Sequence, residues 1–481
     1  MQHAKNMILT IIVACQLMII LDSSIMVTAL PEIGRTLHLT TTNLTWVQNA
    51  YILAFGGLLL LGARAGDILG RRRMFSIGIA LFTVASMLVG LAQSSEFLLI
   101  TRALQGVAAA FTTPSTLALL TVSFPEGPDR AKALALYSAV VGAGGSVGLI
   151  LGGLLTDLVS WRLGMFINVP IGILLLIIVP RYLKETDRST GRFDLPGAIT
   201  SVVGMTSLVF GFVRAADAGW SDAVTLGSLA LGIVMLAAFI AVESRAKQPI
   251  TPLRLFSDRR RTAAYLGRFL FVGGNFSLFF FIPQFLQNVL GFGSFAAGLA
   301  FLPFTGVMFG MLYAMPRLLA RFGSFKVLVA GIVIAIAGTA WLSRISADVH
   351  YFPDMFFPLI VMGIGAGLVF QPFTALGITG VEPRDAGAAS GLVNAAHQTG
   401  GSMGLAILIT VFDAFSRHAE ASKAGLAHAV SASILGSAAF LTASLAVILI
   451  WFLPTARKKR ASARDAVNEA PKARESVNPA T

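Results

Sequence analysis

Long apolar stretches recur along this chain, and each is long enough to cross a membrane as a helix. About 20 apolar residues in a helix cover the roughly 30 Å hydrocarbon core of a bilayer. A helix also satisfies its own backbone hydrogen bonds, which lipid cannot do. The pattern predicts fourteen spans, at 7–30, 46–65, 74–93, 97–122, 133–155, 163–180, 195–213, 223–243, 263–283, 296–316, 326–343, 355–378, 388–412 and 430–453.

Composition supports this assignment and excludes an ordinary soluble domain. Apolar residues make up 56% of the chain and charged residues 12%, whereas a soluble domain holds about 25% charged residues. The first apolar run follows Lys5, as in a signal peptide, but no small-residue cleavage site follows it. We therefore predict that this run is the first span of an all-α polytopic membrane protein.

The positive charge of the chain follows from membrane topology. Cytoplasmic loops of membrane proteins are enriched in Lys and Arg. If both termini are cytoplasmic, most of the 36 Lys and Arg residues fall in cytoplasmic segments, such as 71–73 and 259–261. This predicts a plasma (inner) membrane protein with cytoplasmic termini. It also explains the net charge of +13 without a nucleic-acid partner.

An internal repeat divides the spans into two sets. A common offset of about 255 positions, shared by features in the same order, indicates a duplicated architecture with parallel halves. Six spans need fewer residues than that offset, so two further spans are expected between the halves. The recurring features are Gly-Gly-Ser-Val-Gly-Leu at 144–149 and Gly-Gly-Ser-Met-Gly-Leu at 400–405, Gly70 and Gly323, and Pro114 and Pro372.

The repeat predicts fourteen transmembrane helices in a 6+2+6 order with four regions. Residues 1–180 form an N-terminal six-helix bundle, and 181–261 hold two linker helices with flanking cytoplasmic loops. Residues 262–453 form a C-terminal six-helix bundle. The polar tail 454–481 is expected to be disordered in the cytoplasm. We expect a monomer.

Several short motifs lie at fixed places in these spans. They are the stretch 21–31 in the first span; Asp67, Gly70, Arg71, Arg72 and Arg73 after the second; Arg102, Gln105 and Gly106 in the fourth; Gly144, Gly148, Gly152 and Gly153 in the fifth; and Trp161, Arg162 and Asn168 after it. Together they resemble the major facilitator superfamily, and within it the fourteen-span drug:proton antiporters. The resemblance covers about residues 10–450.

This resemblance implies the major facilitator fold with two parallel pseudo-repeat bundles. It implies export of small hydrophobic or cationic drugs or antibiotics in exchange for protons, with the proton gradient as the energy source and no cofactor. Three positions depart from the family pattern. Ala63 replaces a signature glycine, Thr28 stands where Asn is frequent, and Leu149 replaces a proline of the antiporter motif. Leu149 weakens the case for antiport over symport.

Asp22 is the one carboxylate that lies deep within a predicted span. A charge at that depth costs about 2.5 to 3.5 kcal/mol on insertion scales, so such a residue is usually functional. We predict that Asp22 binds and releases the coupled proton and that Arg102 is its counter-charge. The resemblance implies a role for this arginine in proton transfer. A permanently paired structural acid is the alternative.

The loop with Asp67, Gly70 and the arginines 71–73 is predicted to gate transport. Gly70 permits a tight turn, and Asp67 can lie at a helix N-terminus. The arginines can bond helix C-terminal carbonyls of the other half, a clasp that helix dipoles favour. Anchoring by positive charge alone would explain the arginines but not Asp67.

The glycines of the fifth and thirteenth spans recur every four residues and so share one helix face. Small residues on one face let helix backbones approach closely. We predict a seam at Gly144, Gly148 and Gly152, and another at Gly400 and Gly404, where the two halves rock against each other. Static packing is the alternative.

Polar residues within the spans are candidate substrate contacts. His397 titrates near neutrality in water and is predicted to be a second proton site or a substrate contact, with an interhelical hydrogen bond as the alternative. The substrate-binding candidates are Gln48, Asn49, Gln105, Arg268, Asn275, Gln284, Gln371 and Asn394.

We therefore expect a secondary transporter rather than an enzyme. The sequence shows no Walker loop, no metal-ligand cluster and no nucleophile with a partnered base. Three alternatives stay open at this point. These are a proton-coupled importer or exporter of a metabolite or lipid-like compound on the same fold, a channel, and a membrane enzyme.

Overall fold

A computed structural model of the chain describes residues 2–124, 128–186, 194–246, 249, 251–381, 386–416 and 422–475. Within these residues the regular elements are all helical. The first seven are α1 Gln2–Thr36, α2 Thr41–Leu69, α3 Arg71–Gly90, α4 Ser95–Ser123, α5 Pro128–Leu158, α6 Trp161–Phe166 and α7 Asn168–Tyr182. The next eight are α8 Leu195–Ala218, α9 Ala223–Arg245, α10 Arg259–Asn288, α11 Ser294–Leu299, α12 Leu302–Leu342, α13 Phe356–Ile378, α14 Ala386–Ser416 and α15 Lys423–Glu475.

Helix starts coincide with capping side chains. Thr40, Ser94, Asp222 and Asp258 each accept a hydrogen bond from the backbone N–H three residues later. These bonds satisfy N–H groups that have no partner inside the helix. The backbone of α15 continues through 454–475, for which the sequence predicted disorder; residues 476–481 lie outside the described part.

Twelve helices in the described residues are long and apolar enough to cross a membrane. The remaining two predicted spans correspond to α2 and α5. Both are long helices, of 29 and 31 residues, but each includes side chains outside the description. Within the described side chains of α5, the apolar segment is the shorter stretch Val147–Leu158.

The internal repeat is visible in the backbone. Gly70 has φ 105° between α2 and α3, and Gly323 has φ 75° where α12 kinks into two helical parts. Both angles are in the left-handed region, where glycine is favoured. In addition, α1 packs against α5 as α10 packs against α14, and α3 packs against α4 as α12 packs against α13. Corresponding helices of the two halves therefore have corresponding neighbours.

Chain direction then defines two ends of the bundle. We call the end with the Gly70 and Gly323 turns the basic end, because the arginines at 71–73 and 259–261 lie there. The other end, which carries Thr36 and Ser294, is the opposite end. A shared hydrophobic core, which includes Ile25 of α1 and Phe301 beside α11, joins the two halves there.

The two linker helices pack against each other, and α8 also contacts α2 and α14. Val209 and Val213 of α8 form one apolar cluster with Leu53 of α2 and Met403 of α14. Thr410 of α14 also donates a hydrogen bond to the carbonyl oxygen of Phe212, at 2.9 Å. The helix α8 therefore lies along the line where α2 of one half meets α14 of the other.

Candidate functional site

Asp22 lies near the middle of α1 and is completely buried. Its Oδ2 accepts a hydrogen bond from Nη1 of Arg102 at 2.8 Å. Its Oδ1 accepts from the side-chain amides of Gln105 and Asn168, both at 2.8 Å. Arg102 and Gln105 belong to α4, and Asn168 begins α7. One acid thus joins three helices of the N-terminal half.

Arg102 is held by further contacts. Its Nε donates to the carbonyl oxygen of Val47 at 3.2 Å, and Nη1 also donates to Oε1 of Gln105 at 2.7 Å. The Tyr51 ring centre lies 4.6 Å from the guanidinium carbon. With Asp22 ionised, this buried ion pair has no net charge. Adding a proton would leave one buried charge unpartnered, and an uncompensated buried charge costs about 3–5 kcal/mol.

A second buried arginine lies in the C-terminal half. Nη1 of Arg268, on α10, donates to Oγ1 of Thr374 at 2.8 Å and to the carbonyl oxygen of Phe370 at 3.4 Å; both partners are on α13. Nη2 lies 3.5 Å from Nδ1 of His397 on α14. The structure thus brings together two candidates that are 129 residues apart in sequence. The roles of His397 as a proton site or substrate contact stay predictions.

The other substrate-contact candidates are spread over several helices. Asn49 and Ser402 join the two halves, because the Ser402 hydroxyl donates to Oδ1 of Asn49 at 2.8 Å between α2 and α14. Of the rest, Gln48 and Asn275 are buried, Gln284 donates to the carbonyl oxygen of Phe280 in its own helix, and Gln371 and Asn394 are exposed.

The loop predicted to gate is capped from within its own half. The Glu185 carboxylate, just after α7, accepts hydrogen bonds from the backbone N–H groups of Arg72 and Arg73 at 2.9 and 3.1 Å. Nη1 of Arg72 donates to the carbonyl oxygen of Leu183 at 3.3 Å. The Asp67 side chain lies outside the described atoms. The described contacts hold the loop to the end of α7, and the clasp across the halves stays a prediction.

The glycine faces pack inside each half. Cβ atoms added at Gly148 and Gly152 would lie 2.6 Å from Ser24 and Ile25 of α1, and one at Gly404 would lie 2.2 Å from Cα of Gly273 in α10. These distances are too short for any side chain. The described contacts of these glycines are therefore those of the static-packing alternative.

Contact between the halves falls on the neighbouring face of α5. A Cβ at Gly153 would lie 2.4 Å from the carbonyl oxygen of Ser294. One turn further, the Asp157 carboxylate accepts from the backbone N–H groups of Ser294 and Phe295, at 3.0 and 2.7 Å. Gln287 Nε2 also donates to the carbonyl oxygen of Thr28 at 3.4 Å. These contacts close the opposite end of the bundle.

Three residues of this arrangement were not predicted as site residues. Asn168 was noted only as part of a motif, and Asp157 and Glu185 gave no signal beyond being acids near span ends. In the described part of the chain, no group of three His, Cys, Asp or Glu residues is placed to hold a metal ion.

Comparison with known proteins gives three findings of sequence similarity. Residues 12–405 match the family model described as Major Facilitator Superfamily. The puromycin resistance protein pur8 of Streptomyces alboniger is 40% identical over 416 residues, which cover 84% of this chain and 81% of that protein. The cephamycin export protein CmcT of Amycolatopsis lactamdurans is 38% identical over 440 residues, covering 90% of each protein.

Solved structures are similar in fold. The inward-facing, unoccupied crystal structure of a bacterial homologue of the human lysosomal transporter Spinster matches with a TM-score of 0.67 and 17% sequence identity. The match covers 93% of this chain and 96% of that structure. At this identity the likeness concerns the fold alone.

Proposed function

The chain belongs to the Major Facilitator Superfamily, and from that premise we propose that it exports hydrophobic drugs or antibiotics from the cell by proton-coupled alternating access. Family membership makes it a membrane transporter rather than an enzyme, as the sequence predicted. Its similarity to the antibiotic resistance and export proteins over most of its length supports drug export in particular.

We extend the proposal to the membrane topology. If α2 and α5 also cross the bilayer, the twelve recognised spans become fourteen in the order 6+2+6. The arginines at 71–73 and 259–261 then place the basic end in the cytoplasm, and with it both termini. We also propose that the protein lies in the plasma (inner) membrane. We take the monomer as the transporting unit, with no cofactor besides the proton gradient.

The Asp22 network supplies the proton site of this proposal. Asp22 and Arg102 neutralise each other, and both side chains are fully buried. A proton bound by Asp22 would leave the charge of Arg102 uncompensated and favour a different arrangement of α1 and α4. Protonation from outside would thus favour substrate release and reset the carrier. Deprotonation inside would restore its affinity for substrate.

The closed opposite end supplies the gate. The contacts of Asp157 and Gly153 with the start of α11 join the two halves at that end. With this end on the outer side of the membrane, substrate would enter from the cytoplasmic side. Transport would then require these contacts to break while the halves rock along the α2–α14 contact.

A susceptibility panel in an efflux-deficient bacterial host tests the function. We expect the wild-type chain to raise the inhibitory concentrations of hydrophobic antibiotics several-fold, and Asp22→Asn to return them to the empty-vector level at equal expression. Asp222→Asn is the matched control, because it makes the same chemical change outside the spans and should keep resistance. In everted vesicles, dissipating the pH gradient should stop substrate accumulation.

Two results would contradict the proposal in different ways. Equal resistance from Asp22→Asn and wild type would remove Asp22 from the mechanism while leaving export intact. A wild-type chain that is inserted in the membrane but protects against no compound of the panel would refute drug export.

A further inference from the structure

Arg268 is a buried cation whose described contacts include no acid. Its side chain lies within a span, and the residue is 7% exposed. Its contacts are the hydroxyl of Thr374, the carbonyl oxygen of Phe370 and the ring nitrogen of His397. Its Nε is buried without a hydrogen-bond partner. Among the ion pairs of the described residues, none includes Arg268.

Arg102 shows how the same chain treats another buried arginine that lies away from the ends of a span. That guanidinium is 2.8 Å from the Asp22 carboxylate, and both side chains are fully buried. A buried charge without a partner is costly, and within spans such residues mark sites that meet ions or substrates. The described contacts of Arg268 are all with neutral groups, so of these two arginines it is the one that can accept an external anion.

The side chains around Arg268 indicate the chemistry of the rest of a ligand that carries the negative group. The Phe370 ring lies 5.6 Å from the guanidinium carbon and packs against the rings of Phe271 and His397. One turn from His397 on α14, toward the basic end, Asn394 is exposed. A cation beside several aromatic rings matches an amphiphilic aromatic compound with one negative group.

We propose that Arg268 anchors the carboxylate of an amphiphilic aromatic substrate between α10, α13 and α14. This inference rests on the proposed export function and adds that the exported substrates are anionic. Sequence considerations had left cationic substrates open. A cationic group would be repelled by the Arg268 guanidinium, and the Asp22 carboxylate is already bonded to Arg102, Gln105 and Asn168.

The competing explanation is that Arg268 only fastens the three helices together. That role would make every Arg268 variant unstable and would not depend on the charge of the compound. An anion site predicts instead a loss that is restricted to carboxylates. Arg268→Lys should keep part of the binding, because it keeps the charge but loses the planar guanidinium.

Binding to the purified full chain in phosphatidylcholine nanodiscs tests this. The probes are fluorescent aromatic compounds. Each is prepared in three forms, which carry a carboxylate, a methyl ester or a trimethylammonium group. We expect at least one carboxylate to bind about tenfold more tightly than its ester, as for a charge-assisted buried hydrogen bond. Arg268→Gln should remove that preference without changing ester binding. Arg214→Gln, in the linker helix α8, should leave the preference unchanged.

The outcomes separate this inference from the proposed function. If no carboxylate binds more tightly than its ester and its cation, or if Arg268→Gln keeps the preference, the inference is wrong even when esters are exported. If carboxylates bind through Arg268 but a pH gradient drives no flux in proteoliposomes, the proposed proton coupling is wrong and the anion site stands. Nanodiscs that also contain phosphatidylglycerol test whether the natural anion is a lipid headgroup. If this anionic lipid abolishes the preference for carboxylate probes, the site binds a lipid headgroup and the substrate assignment is wrong.

Discussion

The pair of Asp22 and Arg102 should show strong energetic coupling, because both side chains are fully buried. Two unit charges about 4 Å apart attract by about 4 kcal/mol at an effective dielectric constant of about 20. Removing one partner leaves the other charge buried, at a cost of about 3–5 kcal/mol. Removing both leaves no charge to bury. The double variant should therefore be far less unstable than the sum of the single variants.

The variants are Asp22→Asn, Arg102→Met and their combination, and the measurement is the free energy of unfolding in mixed micelles. We expect each single change to cost about 3–5 kcal/mol and the coupling energy to be about 3 kcal/mol. Arg102→Met also loses the hydrogen bond to Val47 and the contact with Tyr51. For this reason the double variant should stay somewhat below wild type.

A second cycle on a partly exposed ion pair is the control. Arg214 donates to Asp222 at 2.7 Å, but its side chain is 37% exposed. Solvent screening should make its coupling much smaller than that of the buried pair. Additive single changes at Asp22 and Arg102, or equal coupling in the two cycles, would refute the conclusion that burial of the ion pair controls this site.

Three further predictions follow from other contacts. Asp157→Leu removes the acceptor for two backbone N–H groups of α11. Spin labels placed on the two halves at the opposite end should therefore move apart. An unchanged distance distribution would show that this contact does not hold the end closed. Gly404→Ala should destabilise the chain by about 1–3 kcal/mol through overpacking, whereas Gly306→Ala, with nothing within 4 Å of the added Cβ, should be neutral or stabilising in thermal unfolding. Hydrogen bonds from Arg214 and the Thr225 backbone lower the Asp222 pKa from 3.8 to about 2. The contribution of Asp222 to stability is therefore present above pH 4 and lost as the pH falls toward 2. If the difference in free energy of unfolding between wild type and Asp222→Asn grew on acidification, this prediction would be wrong.

The duplicated architecture could be predicted because its signals are local. A tight turn between antiparallel helices needs a glycine at positive φ, so Gly70 and Gly323 mark the same turn in each half. The counter-charge of Asp22 was predictable for a related reason. A buried acid within a span needs a cation, and Arg102 was the only arginine placed away from the ends of a predicted span in the same half.

The partners of the helix ends were not predictable in this way. Glu185 caps α3 from a position 112 residues away, and Asp157 reaches a helix of the other half. Such contacts depend on how loops bring helix ends together, which periodicity within a helix does not encode. The glycine face of α5 shows a related limit. Its spacing predicted close packing correctly, but the partner helix, α1 rather than one in the other half, depends on the tertiary arrangement.

The position of α8 makes the two flanks of the molecule unequal. Its side chains fill the line between α2 and α14, with Val209 and Val213 packed between Leu53 and Met403. On the other flank, α5 meets α11 and α12 with no linker helix among the described contacts. A compound that approaches from the bilayer would therefore meet α8 first on one flank and the direct contact of α5 with α11 and α12 on the other.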